Sequence, residues 1–427
     1  MKVSRKIISG DITGASLKVE PLTGLDLCMS SAGFDILLVY DHVLDEESLI
    51  DSLRETLAHN PYFEGRMGIY DGCKGISPKQ EGILFTSIQH DDELSKFWKG
   101  GSIKYGNFSS HVETFGFEEN VPFFHITHSI FRSNSVLGLS ISHRFCDGSS
   151  FWSFMLLWSR AAKGQKPISL HYDRGSLNKK ARHYSADKER NFSGHALSCK
   201  AKGPIVVESF RLPGWRLDEL KSLGSVENPP LFSSQDLLTA YVWKLINSSV
   251  NLDAGEIFPI TLVFNARKKF GLDNDYVGNA FFFRSIEKSK DEISRLDFSS
   301  AAILLRSLSN QVTEQSLCDD LAYFSAMERE GGSSRCLSRD QSLFLNGGLL
   351  INNWSKFPIY EIDFGSGKPI WFDFQRGVGK ESARNPIRFA VIASSPHEDG
   401  CLDYYVGLPV DEMEQFREVF HLENNIV

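Results

Sequence analysis

Residues Val136–Ser150 read VLGLSISHRFCDGSS, and this stretch decides how the rest of the chain is read. Val136–Ser142 has the pattern of a strand, with Leu137, Leu139 and Ile141 on one face. His143 continues that face at the strand's end. A turn through Phe145, Cys146, Asp147 and Gly148 leads into Phe151–Ala162, apolar almost all round and therefore expected as a buried helix. A histidine at a strand end, followed by a glycine turn and a buried helix, sits where a rigid scaffold can hold a catalytic base. The competing reading is a core histidine satisfied by a backbone carbonyl.

The spacing H-x-x-x-D alone is weak, because His183 and Asp187 repeat it. That second match lies in the charged run KARHYSADKER (180–190), where a base would stay wet. Context therefore favours His143. Asp147 has two readings. It orients the imidazole, as a triad carboxylate does, or it pairs with a buried arginine and holds the turn. The second is preferred, with Arg267 as the partner, since four residues across a tight turn do not bring two side chains together by themselves.

Outward from this centre the chain mixes strands and helices, an α/β class with mixed sheets. Phe34–Tyr40 and Val121–Ile130 read as strands, and Asp45 caps a helix carrying Leu49, Ile50, Leu53 and Leu57. Gln165–Gly203 is polar and rich in Lys, Arg, Ser and Asn, and reads as a long exposed crossover. Beyond it, Ser233–Asp236 starts a helix, Ile257–Asn265 and Gly278–Phe283 read as strands, and Ser299–Gln311 and Gln315–Glu328 as helices. Strands near Ile359–Asp363, Phe389–Ala393 and Leu402–Val406 follow, and Asp411 caps a final helix. The expected division is 1–185, a crossover at 186–204, and 205–427, with the segment near 363–388 a candidate for packing with the first part.

With 427 residues the chain has room for two domains. Its 46 basic and 54 acidic side chains give a net charge of −8, which lacks the footprint of a nucleic-acid binder. Seven cysteines, none in C-x-x-C, fit a reducing compartment and argue against a zinc ribbon. The basic N-terminus lacks the apolar core of a signal peptide, and no apolar run reaches about 18 residues, so a cytoplasmic protein without membrane contact is expected. Thirty-two Phe suffice for a large core or an apolar channel.

Around His143 the stretch SISHRFCDGSS resembles the H-x-x-x-D-G core of the BAHD acyltransferases, and Asp363–Pro369 (DFGSGKP) resembles their D-F-G-W-G-K-P hallmark. Softer matches fall in family order: Pro21–Asp26, Ser233–Lys244, Asn265–Arg267 and Tyr276–Asn279. The resemblance implies two similar chloramphenicol-acetyltransferase-like domains with a solvent tunnel between them. It implies transfer of an acyl group from acyl-CoA to a hydroxyl or amine of a small acceptor, by a monomer of secondary metabolism. Acyl-CoA is then a co-substrate, with no permanently bound cofactor and no metal. His143 is the implied general base, with no covalent enzyme intermediate. Asn352 and Trp354, in the segment INNWS, are candidates to stabilise the oxyanion. Asp147, Arg267, Gly148, Asp363 and Gly365 support the site structurally. Trp354 has an equally weighted reading as a core aromatic.

Two departures stand out. Ser366 replaces the hallmark tryptophan, and Ser142 replaces the first histidine of the related condensation domains. The latter weakens a rival reading with a carrier-protein-bound donor; a non-catalytic binding protein of the same fold is a third. Asp363-Phe364-Gly365 also spells a kinase motif, but it lies too far from His143. His125 and His128 face opposite sides of a strand, so joint zinc binding is not expected. Cys146 reads as packing, and Phe281–Phe283 as half core and half channel wall. For the coenzyme A phosphates the sequence offers Lys268, Lys269, Arg384 and Arg388 without choosing among them.

Overall fold

A computed structural model describes residues 2–11, 18–29, 33–78, 80–99, 102–103, 108–112, 122–182, 201, 203–224, 232–329, 337–374, 387–396 and 401–424. Two six-stranded sheets organise it. The first runs, edge to edge, Lys2–Ile8, Ile83–Gln89, Phe124–Ile130, Ser135–Ser142, Gly33–Tyr40 and Trp371–Phe374. All neighbours are antiparallel except Ile83–Gln89 with Phe124–Ile130.

The inner strand Ser135–Ser142 is buried on both faces, and its side chains are accordingly apolar or small: Val136, Leu137, Leu139 and Ile141 beside Gly138 and three serines. Leu137, Leu139 and Ile141 share a core with Ile36, Leu38 and Tyr40. Val136, on the other face, packs with Leu37, Val39, Phe108 and Phe131. Asp147 caps the helix Gly148–Ala162, accepting from the Ser150 amide at 3.0 Å. That helix lies beside Glu46–His59, itself capped by Asp45. Between them, Trp158 Nε1 donates to the Leu49 carbonyl and Ser52 Oγ, so a large ring is buried with its polar group satisfied.

The second sheet runs Ile205–Leu212, Leu402–Pro409, Arg388–Ser394, Leu349–Trp354, Ile260–Asn265 and Phe281–Ile286. Leu349–Trp354 pairs in parallel with both of its neighbours, and the other pairings are antiparallel. The helices Ser234–Ser249, Phe298–Gln311 and Val410–Glu423 cover one core, and Ser233 with Asp236 forms the capping box that starts the first of them.

Several expectations are corrected. Part of the crossover is a helix, Arg174–Arg182, with Arg174, Leu177 and Ala181 buried. Leu177 and Ala181 sit four apart and join the core around Phe270 and Leu321. Polar composition hid two inward positions. Ile359–Glu361 is a single 3₁₀ turn after Pro358, because Ile359 and Ile362, three apart, both point inward. The strand expected from Gly278 begins at Phe281, since Gly278 has φ +151°, which ends extended pairing. The last helix is preceded by Pro409, and Asp411 lies in its first turn instead of capping it. Phe281, Phe282 and Phe283 are all buried. The decoy pair His183 and Asp187, most of 186–204, and Arg384 lie outside the described residues.

Candidate active site

His143 follows the strand Ser135–Ser142 directly and lies at the seam between the two sheets' domains. Its partly exposed ring is edge-on to Phe34 of the first sheet, centroids 5.3 Å apart, and tilted against Phe281 of the second at 5.1 Å. Nδ1 lies 3.1 Å from Asn279 Oδ1. The Asn279 side-chain nitrogen donates to the His143 carbonyl and to Asp26 Oδ1, both at 2.8 Å. With that nitrogen engaged as a donor twice, the amide oxygen is the acceptor, so Nδ1 carries the proton and Nε2 the lone pair. Burial pulls the imidazole below its ordinary 6.5, outweighing the opposing pull of its own carbonyl, Asp147, Asn279 and Asp26. A neutral ring at neutral pH is a competent Brønsted base.

The hydrogen bonds of Asp147 go to other groups than this ring. Its oxygens meet Arg267 Nη1 and Nη2 at 2.7 and 2.8 Å, and also accept from the Ser150 and Ala280 amides. Burial raises its pKa, but the Arg267 charge and these hydrogen bonds prevail and hold the carboxyl below the usual range. Arg267 also donates to the carbonyls of Tyr276 and Gly278 and to Ser150 Oγ. The pair therefore joins the motif turn to the second domain, both partners nearly inaccessible to solvent.

Gly148 opens the helix with Phe357 packed close over its Cα, and Trp354 lies just beyond. Trp354 sits among Trp152, Phe357, Phe372 and Phe374, at centroid separations of 5.1–6.3 Å. Alternation along Leu349–Trp354 places Asn352 on the same face as Trp354, partly exposed. Asp363 and Gly365 lie elsewhere. Asp363 Oδ1 accepts from the amides of Gly365 and Gly367 at 2.8 and 3.0 Å, and its other oxygen is 3.5 Å from Lys163, just past the helix's far end. Fifteen helical residues separate that end from Asp147, about 22 Å. Ser366 is exposed.

The remaining candidates divide. Cys146 is buried, and burial pushes its thiol well above the ordinary range, so it is no nucleophile. His128 is buried with its pKa lowered by burial to about 4, and His125 lies against the Ser110 carbonyl on the opposite face. Among the described residues no group of three or more His, Cys, Asp or Glu is placed to hold a metal ion. Arg388 is corrected as a phosphate candidate: it is buried against both oxygens of Glu412. Lys268 and Lys269 are exposed beside Arg267.

A model of the "Transferase family" matches residues 23–423, nearly the whole chain. The chain belongs to the BAHD transferase family. Curated relatives of this BAHD protein include rosmarinate synthase from Plectranthus scutellarioides, 25% identical, with 97% of this chain and 96% of the relative covered. Agmatine coumaroyltransferase-1 from Hordeum vulgare is 21% identical over 95% and 93%. Among solved structures, F. graminearum TRI101 with ethyl coenzyme A superposes with a TM-score of 0.76 at 16% identity, covering 94% of this chain and 97% of that one. Vinorine synthase follows at 0.66 and 18%, over 97% and 96%. The BAHD chain is thus an acyltransferase with the two-domain fold of these neighbours.

Sequence reasoning quoted Asn279 only as part of a Gly-Asn turn and did not place it on the histidine. It quoted Asp26 only as the end of the Pro21–Asp26 match and passed over Arg174. Asp26 follows a threonine cap signal, and Arg174 sits in a polar run, so neither announces a site. Among the described residues no helix is long and apolar enough to cross a membrane.

Proposed function

We propose that this chain transfers an acyl group from an acyl-CoA thioester to a hydroxyl or amine of a small molecule, with His143 as general base. The observation that carries the reading is the Nδ1–Asn279 contact, which leaves Nε2 as the basic atom at the seam where both domains contribute walls. Donor and acceptor reach this ring through a channel between the domains.

The thioester is already activated, so the work is alignment, one proton transfer and one oxyanion. Nε2 takes the proton as the acceptor oxygen or nitrogen attacks the thioester carbon. The tetrahedral intermediate collapses with cleavage of the C–S bond, and the imidazolium returns the proton to the departing sulfur. Free coenzyme A and the ester or amide leave, and the enzyme is unchanged. Trp354 Nε1 and the Asn352 amide serve the oxyanion. Asp147 and Arg267 fix the turn that presents His143. Lys268 and Lys269, exposed beside the seam, suit the coenzyme A phosphates.

The test is thiol release from a panel of acyl-CoAs with hydroxyl and amine acceptors, run beside His143→Ala. At least one pair should turn over, and the variant should lose about 10²–10⁴-fold in kcat. Turnover unchanged in His143→Ala overturns the reading. Release only from carrier-protein thioesters overturns the choice of donor.

A further inference from the structure

The hydrogen bonds beneath His143 continue one residue further than its amide partner. Asp26 sits in the first turn of the short helix Gly24–Cys28 and is fully buried. Five donors converge on its two oxygens. Oδ1 accepts from the Asn279 backbone amide at 3.2 Å and from the Asn279 side-chain nitrogen at 2.8 Å. Oδ2 accepts from the Thr23 amide and hydroxyl, both at 2.8 Å, and from Arg174 Nε at 3.2 Å. Arg174 in turn donates to the Phe145 carbonyl inside the motif turn. Every neighbour is a donor, so Asp26 presents only acceptors.

This arrangement discriminates between the two orientations of the Asn279 amide. As observed, the nitrogen faces Asp26 and the oxygen faces His143 Nδ1. Turned by 180°, the amide oxygen would face a carboxylate oxygen and the His143 carbonyl, leaving three acceptors against one another in a buried place. It would also offer N–H to Nδ1, which moves the ring proton to Nε2 and abolishes the base at the reacting face. We propose that Asp26 is a positioning residue that locks the Asn279 amide and thereby holds His143 in the tautomer with a basic Nε2.

The inference deepens the general-base reading and rests on it for its effect on turnover, but its structural half is read without activity. The experiment uses full-length protein with ¹⁵N-labelled histidine, comparing wild type, Asp26→Asn, Asn279→Ala and the double variant at pH 8. His143→Ala assigns its ring signals. In wild type the ring nitrogens should report protonated Nδ1 and bare Nε2. Asp26→Asn should populate the other tautomer and lower kcat by at least about tenfold, within the 10²–10⁴-fold a general base supplies. KM should change by less than about threefold, since Asp26 does not touch the substrates.

The double variant separates positioning from support of the fold. If Asp26 acts through Asn279, adding Asp26→Asn to Asn279→Ala changes neither the tautomer ratio nor kcat further. Equal losses in both backgrounds, or a wild-type tautomer in Asp26→Asn, overturn the proposal. Where Asp26→Asn does not fold, Asp26→Glu keeps the charge against Arg174 and displaces the acceptor by one methylene, with the same expected readout. Failure of the base reading is distinguishable: His143→Ala would then turn over normally while the tautomer signals still responded to Asp26.

Discussion

Asp147 gives both its oxygens to Arg267, 120 residues further along the chain, and none to the imidazole four residues before it. The H-x-x-x-D motif is therefore two devices sharing one turn. One presents the imidazole proposed as the base, and the other clamps the two domains together.

Breaking that clamp should cost stability. Arg267→Ala leaves a buried carboxylate unpaired and should lower the unfolding free energy by about 3–5 kcal/mol. Chemical denaturation measures it. An orienting role for Asp147 predicts the opposite pattern, in which Asp147→Asn loses activity at unchanged stability.

The pH dependence follows from the direction of the His143 shift. Burial lowers its pKa from 6.5, and in the proposed mechanism the neutral ring is the active form. Activity is then present above the lowered pKa and lost as pH falls through it. The acidic limb of kcat/KM should lie below 6.5, with a plateau through neutrality. A limb above 6.5 contradicts a neutral base whose pKa is lowered by its surroundings.

Asp363→Ala removes the acceptor for two loop amides at the far end of the helix from Asp147, about 22 Å along its axis. It should destabilise by about 1–3 kcal/mol and leave KM unchanged in the folded protein. Gly365, at φ +98°, should tolerate no larger residue without similar loss. Ser366→Trp, at an exposed position, should shift stability by no more than about 0.5 kcal/mol. Thermal melts and saturation curves decide each.

Cys146, buried with its thiol held protonated, should resist alkylation until the chain unfolds. Cys73, exposed in a hairpin, should react in the native state. Mass mapping after brief iodoacetamide treatment separates them, and turnover should survive modification of Cys73.

Much of this was legible in residues 136–162, because a strand buried on both faces, a turn and an apolar helix leave a plain pattern. Caps at Asp45 and Ser233 were legible for the same reason: they are local. What the sequence hid is held by long-range partners. Arg174 reads as solvent-facing until Asp26 is beside it, and Asn279 reads as a turn residue until its amide is seen between His143 and Asp26. Ile359–Asp363 misled because an apolar pair three apart also suits a single turn of 3₁₀ helix.

The strand Trp371–Phe374 pairs with Gly33–Tyr40, Trp371 opposite Val39 and Phe374 opposite Ile36. During synthesis, then, the nascent chain carries an open edge at one of its earliest strands until residue 374 has left the ribosome. An open hydrophobic edge invites pairing with another chain. A gene cut between the domains should therefore yield a sticky first fragment, and supplying the second fragment in trans should rescue its solubility.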